Sequence, residues 1–187
     1  MKFIKKMKIK NIPWDLVTIP TIGDGNCFLH AILGCCNNYY KNTNNENKKI
    51  IVRQLRNDTA NLLDISINNS TFYEKLSRGQ AEEISQYVTE MRKDYMQGYL
   101  KSNNWLNASF IELFSIVFNI NIVIISAMEK DIYRTGDKEL LFKERKTIFI
   151  NYIDQAHFES IGIETPDGLK TIFHHDNEIV KLLNKII

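Results

Sequence analysis

Gly23-Asp24-Gly25-Asn26-Cys27-Phe28-Leu29-His30-Ala31-Ile32-Leu33 decides how this chain is read. Two glycines with Asp and Asn among them make a dense turn cluster. The run that follows is apolar, so the turn opens into a short buried helix. A cysteine at that junction gains three things. The helix N-terminus stabilises a thiolate. The glycines let backbone N–H groups converge beside the sulfur, as an oxyanion hole requires. The apolar helix anchors the sulfur while the turn leaves it within reach. The competing reading makes Cys27 a buried structural thiol, because free cysteine is among the most buried residue types.

Upstream, Trp14 to Ile22 is an apolar, β-branched run, and residues 1–12 read as a solvated basic lead-in. Downstream, Asn37 to Lys49 reads as a polar loop rich in Asn and Lys. Ile51, Leu55, Thr59, Leu62 and Leu63 carry helical spacing, broken at Asn68 to Ser70. A second helical pattern runs through Ile84, Tyr87, Val88, Met91 and Tyr95, and Tyr87, Tyr95 and Tyr99 read as core packing. Residues 105–119 give the clearest helix: Asn107 is a suitable N-cap, and Phe110, Leu113, Phe114, Val117 and Phe118 form one stripe. The pattern then changes to strands. Asn121 to Ile125 is β-branched, and Lys146 to Ile150 and His157 to Ile161 follow, joined by a loop through Asp154. Asp176 to Ile187 closes the chain as an amphipathic helix with Ile179, Val180, Leu183 and Ile186 inward. The order reads as α+β, with helices packed around a small central β-sheet.

At 187 residues the chain is one domain by size. Apolar residues at 44% and charged residues at 25% argue against disorder, collagen or coiled coil as whole-chain answers. A net charge of +2 is too balanced to argue for nucleic acid. Three cysteines form neither a CxxC nor an even set, so a reduced, cytoplasmic setting is expected. No apolar run approaches the roughly 20 residues of a membrane span. Abundant Ile, Asn and Lys are what AT-rich codons produce. No Walker loop, His-Glu-x-x-His or Gly-x-Ser-x-Gly occurs. His174-His175-Asp176 has no partner at metal spacing, so Asp176 reads as a helix N-cap and no metal is expected. Cys35 and Cys36 read as core and helix-end residues.

The second informative stretch is Gln155-Ala156-His157-Phe158-Glu159. His157 begins a strand just after a loop, and alternation puts His157 and Glu159 on one face. A histidine acting as base needs an acceptor on its second ring nitrogen to fix the tautomer. A carboxylate two residues along the strand can be that acceptor. The competing reading is a surface His beside a surface Glu. Nucleophile and base need only be neighbours in space, so the pairing of Cys27 with His157 must come from the fold.

Asp24-Gly25-Asn26-Cys27-Phe28, with Ala31-Ile32 behind it, resembles the Asp-Gly-Asn-Cys-Leu-Phe-x-Ala signature of the OTU (ovarian tumour) family of cysteine proteases. His157-Phe158-Glu159 resembles that family's His-aromatic-polar signature. Asn104-Trp105-Leu106-Asn107 stands where the family often has Trp-Gly-Gly. The resemblance covers roughly residues 14–162. It implies a papain-like protease fold and a deubiquitinase that cleaves isopeptide bonds at the C-terminus of ubiquitin or a ubiquitin-like modifier, with no cofactor. It makes Cys27 the nucleophile, His157 the general base and Glu159 the residue that orients His157, with Asp15 a weaker alternative from upstream. Asp24, Gly25, Asn26 and Cys27 become the oxyanion-hole loop, Asp24 contributing main chain more than side chain. Trp105 and Phe158 become candidates to line the substrate channel. Here Phe28-Leu29 replaces Leu-Phe, Trp105-Leu106-Asn107 replaces Trp-Gly-Gly, and Glu159 stands where Asp or Asn is more usual. The implied organisation is a lead-in at 1–12, an OTU-like catalytic domain at 13–162 and a C-terminal extension at 163–187. The expected protein is a monomer with no nucleic-acid partner, and the composition would suit a large DNA virus or an intracellular parasite or bacterium. The rival readings are a ubiquitin-binding module without activity and a cysteine hydrolase or acyltransferase with another substrate.

Overall fold

Helices dominate the first two-thirds of the chain and strands the last third. The computed structural model describes residues 5–7, 15–78, 91–106, 110–126, 131–134, 145–154 and 156–186. In order these form β1 (Lys5–Met7), β2 (Leu16–Ile19), α1 (Cys27–Cys36), α2 (Asn38–Asn42), α3 (Asn45–Leu62), β3 (Ser66–Ile67), β4 (Ser70–Thr71), α4 (Phe72–Ser77), α5 (Lys93–Lys101) and α6 (Ile111–Phe118). They continue as β5 (Ile120–Ser126), β6 (Asp131–Arg134), β7 (Lys146–Ile153), β8 (His157–Thr165), β9 (Gly168–Lys170) and α7 (Glu178–Ile186). Trp14, the positions from Ile84 to Val88, Asn107 and Gln155 lie outside the described residues.

The main sheet runs β1-β2-β8-β7-β5-β6, with β9 also paired to β8. β5 and β7 are parallel and the other pairs antiparallel. Period-two alternation gives the sheet two apolar faces. Ile122, Ile124, Ile148 and Ile150 point into the larger core, with α1 and the helical lobe. Val123, Ile125, Phe149 and Ile161 point the other way, onto Phe173, Ile179 and Val180. Thus α7 covers the second face, and residue 162 falls inside β8. The side chains of Leu183 and Ile186 lie outside the described ones.

Several local expectations change. Asn37 to Lys49 is mostly helical, because its asparagines act as caps: Asn37 Oδ1 accepts from Tyr40 N–H (2.8 Å) and Asn44 Oδ1 from Asn47 N–H (2.8 Å). Of the α3 face read in the sequence, Thr59 and Leu63 are buried and Ile51, Leu55 and Leu62 pack partly buried against the core, while Val52, Arg56 and Ala60 are buried beside them. Asn177, not Asp176, caps α7, its Oδ1 accepting from Ile179 N–H at 3.1 Å. Tyr95 is exposed and Tyr99 half-buried, stacked on Phe110. Lys5–Met7, within the expected solvated lead-in, pair with β2 as an edge strand.

α1 crosses the sheet over β8, and that crossing places the site. Ser160 Oγ donates to the Ala31 carbonyl (2.8 Å). A Cβ at Gly34 would lie 2.6 Å from Ser160 Oγ, so this close approach requires glycine. Phe28 and Phe158 meet edge to face at 5.2 Å between centroids.

Candidate active site

Cys27 is the first residue of α1, with 6% of its surface exposed. Burial pushes its thiol pKa up, and the negative charge of Asp24 adds to this. Main-chain hydrogen bonds at Phe158, Phe28 and Cys27 itself act in the opposite direction. Those groups belong to β8 and to the first turn of α1, so N–H donors from two elements converge on the sulfur. Phe158 is the residue after His157, which puts the thiol beside the start of β8. The fold therefore brings together the two signatures that the sequence holds far apart.

The loop before the cysteine is fastened by Asp24. Its Oδ1 accepts from Asn26 N–H (3.0 Å) and from Nε2 of His30 (3.1 Å), with Oδ2 3.2 Å from the same nitrogen. Across the ring, Tyr40 O–H lies 2.5 Å from Nδ1 of His30. A carboxylate can only accept, so Nε2 carries the proton and Nδ1 accepts from Tyr40. Burial lowers the His30 pKa and raises that of Tyr40, which keeps both neutral. The Asp24 side chain therefore has a role of its own, besides the main-chain one expected of this loop. Its carboxylate ties the turn to α1, and through His30 to α2.

Gly25 has φ +84°, and a Cβ there would sit 2.9 Å from Cδ1 of Trp105 and 3.3 Å from the Asn103 carbonyl. Trp105, 59% exposed, therefore stands directly against the turn that leads to Cys27. Tyr99 O–H holds the Trp105 carbonyl at 2.5 Å. Phe158 does not fit the same role. It is buried between Tyr152, stacked at 4.6 Å, and Phe28. The pleat that faces His157 one way turns Phe158 the other, into the core.

His157 has a neighbour that the sequence reading missed. Nε2 lies 3.2 Å from Thr21 Oγ1, and that hydroxyl donates its one proton to the Phe158 carbonyl at 2.5 Å. The Thr21 oxygen is therefore the acceptor and Nε2 the donor, which leaves the Nδ1 lone pair free. Among the described residues Glu159 makes no hydrogen bond to His157. Two residues along a strand span about 6.6 Å, and side chains stand across the strand, so sharing a face does not bring the carboxylate to the ring. Asp15 lies exposed at the far end of β2, beside Lys6 (3.7 Å). The register Leu16↔Ile163 and Ile19↔Ser160 runs Asp15 away from His157 and Thr21 toward it.

A family model for OTU-like cysteine protease matches residues 22–158. The chain belongs to that family. The chain resembles a solved OTU domain in complex with ubiquitin, with a TM-score of 0.57 and 17% identity, covering 96% of this chain and 87% of the other. It also resembles the OTUD1 OTU domain, with a TM-score of 0.50 and 14% identity over 78% of this chain and 85% of that one. Both likenesses support the α+β, papain-like OTU fold. No curated protein matches at the level of sequence. Among the described residues no helix is long and apolar enough to cross a membrane, and no three His, Cys, Asp or Glu cluster as a metal site would require. Cys35 and Cys36 sit at the far end of α1, their pKa values pushed by burial to about 12 and about 11.

The sequence reading missed Thr21, His30, Tyr40 and Arg56 as supports of this OTU site. Arg56 alone left a sequence signal: a charged residue four positions after Val52, on the inward face of α3.

Proposed function

We propose that this OTU-family chain is a deubiquitinase, a cysteine isopeptidase that hydrolyses the bond between a ubiquitin C-terminus and a lysine amine. The observation that carries this reading is Cys27 at the start of α1, its sulfur near main-chain groups of α1 and of Phe158, the residue that follows His157 in β8. The complex of a similar OTU domain with ubiquitin supports the choice of substrate.

Burial disfavours a resting thiolate, so the proton leaves Cys27 as attack begins. His157 Nδ1 takes it, and the sulfur adds to the carbonyl carbon after the terminal glycine of ubiquitin. N–H groups of the Asp24–Cys27 loop and the first turn of α1 hold the oxyanion. As the C–N bond breaks, His157 returns the proton to the leaving lysine amine. Water, deprotonated by His157, then cleaves the thioester and restores the thiol. Thr21 keeps His157 in the tautomer these steps need. No step uses a cofactor. Three free cysteines suit a reduced intracellular setting.

Ubiquitin carrying a C-terminal electrophile tests the reading. The expected result is one adduct, at Cys27, together with di-ubiquitin cleavage by the wild type and none by Cys27→Ala. Ubiquitin binding without labelling would favour a binding module. Reaction with small thiol reagents but not with ubiquitin would favour another hydrolase.

A further inference from the structure

Arg56 is 3% exposed, and among the described residues no carboxylate pairs with it. A guanidinium taken out of water that far is expensive unless every donor is used. Here four of its five N–H groups have partners among the described residues, around the loop that leads to Cys27. Nε donates to the Leu100 carbonyl (2.8 Å), and Nη2 to the Tyr99 carbonyl (2.7 Å). Nη1 donates to the Asn104 carbonyl (3.0 Å) and to Asn26 Oδ1 (2.7 Å). One side chain from the middle of α3 thus ties the end of α5, the residue before Trp105, and the residue before Cys27.

The Asn26 contact has a chemical consequence. Asn26 occupies the N-cap position of α1, where an asparagine side chain normally accepts from the N–H of the second or third helical residue. In this helix the second residue is Phe28. The Asn26 side chain makes no such bond: its backbone stands at φ −111° and ψ 16°, outside the extended conformation usual for a capping residue, and its oxygen accepts from Arg56. The Phe28 N–H is thus not taken by the Asn26 side chain, and as a main-chain donor in the first turn it lowers the Cys27 pKa against the effect of burial. We propose that Arg56 is a positioning residue: by withholding the Asn26 cap, it keeps the first turn of α1 open as the donor set for the thiolate and the oxyanion. The oxyanion part rests on the deubiquitinase reading, whereas the thiolate part does not.

The test uses Arg56→Met, checked for a cooperative thermal melt, with two readouts. The first is the pH midpoint for iodoacetamide alkylation of Cys27, followed on its own peptide by mass spectrometry. Losing a helix-terminal donor should move that midpoint up by roughly half a unit or more. The second is cleavage of a ubiquitin–aminocoumarin substrate, where kcat should fall roughly tenfold or more and KM stay within about threefold. Arg56→Met combined with Asn26→Ala removes the side chain that would cap the helix, so the alkylation midpoint should return toward the wild-type value. A purely structural role for Arg56 predicts no such return.

If Arg56→Met does not fold, Asn26→Ser beside Asn26→Ala asks the same question with the arginine intact. Both lose the arginine's acceptor, but only serine can cap α1, so only Asn26→Ser should raise the midpoint. An unchanged midpoint in folded Arg56→Met, or equal midpoints in the two Asn26 variants, would overturn the proposal while leaving any observed ubiquitin cleavage to stand. A shifted midpoint in a chain whose wild type does not cleave ubiquitin would retain the positioning role and remove the deubiquitinase reading.

Discussion

Thr21 Oγ1 accepts from His157 Nε2 at 3.2 Å while donating to the Phe158 carbonyl. A hydroxyl from the strand side of the Cys27 turn therefore occupies the place that the sequence offered to Glu159. A neutral acceptor fixes the tautomer but stabilises an imidazolium less than a carboxylate does.

Thr21→Val should lower kcat/KM by roughly ten- to a hundredfold, or about 1.4–2.7 kcal/mol of transition-state stabilisation. Thr21→Ser should keep most of the rate, and Glu159→Ala should stay within about threefold of wild type. Histidine nitrogen NMR on the free protein should show the Nε2–H form of His157 in the wild type and a mixture in Thr21→Val. A crippled Glu159→Ala beside a normal Thr21→Val would return the orienting role to the carboxylate.

In the Asp24–His30–Tyr40 chain His30 and Tyr40 are buried and Asp24 is partly exposed, so removing His30 strands the Tyr40 hydroxyl. His30→Ala should cost about 2–4 kcal/mol in urea unfolding, from lost packing and an unpaired Tyr40 hydroxyl. It should also slow turnover, because the Asp24 turn loses its tie to α1. Tyr40→Phe keeps the volume and removes one hydrogen bond, and should cost about 1 kcal/mol with a smaller loss of rate. Equal stability of all three proteins would show that the network holds nothing.

Gly25→Ala meets two obstacles at once. The φ of +84° strains any residue with a Cβ, and that Cβ falls 2.9 Å from the Trp105 ring. Trp105 is exposed and can swing away, but the backbone strain stays. Turnover should drop at least tenfold with the melting temperature lowered by only a few degrees. Trp105→Ala should relieve the contact without restoring the rate, a result that steady-state kinetics on the double variant can check.

Cys35 gives a pH prediction with a definite sign. Its pKa rises from 9.0 to about 12 in the folded chain, because burial disfavours the thiolate, and Cys36 rises to about 11 for the same reason. The unfolded chain therefore loses these protons first. The stabilisation is complete below about pH 9 and is lost as pH climbs toward the folded values. Urea midpoints measured at pH 7.5, 9 and 10.5 should decline, and less steeply in Cys35→Ala. A midpoint that holds constant across this series would remove the claim. Neither Cys35→Ala nor Cys36→Ala should affect turnover.

The sequence on its own determined the parts written in contiguous residues. Asp24 to Cys27 declares a turn into a helix, because glycines and an apolar run are local signals. Ile122 to Ile125 and Ile148 to Ile150 declare buried strands by β-branching. His157 and Phe158 declare alternate faces by the pleat. Cys27 and His157 were nominated by chemistry that needs only residue type and neighbours in sequence. The Asn-rich stretch at 37–49 misled, since polarity and capping leave the same composition and differ only in where the side chain turns.

The tertiary structure alone decided which groups touch. Thr21 reaches His157 because β2 runs antiparallel to β8 in a register that carries residue 21 past the strand's end to residue 158. Arg56 reaches Asn26 because α3 packs on both α1 and α5. Phe158 faces the core because α1 crosses β8 at that residue. A side chain's type is fixed by its codon, but hydrogen-bond partners are chosen by distance. For residues far apart in the chain, distance is set by strand register and helix packing, which no local pattern encodes.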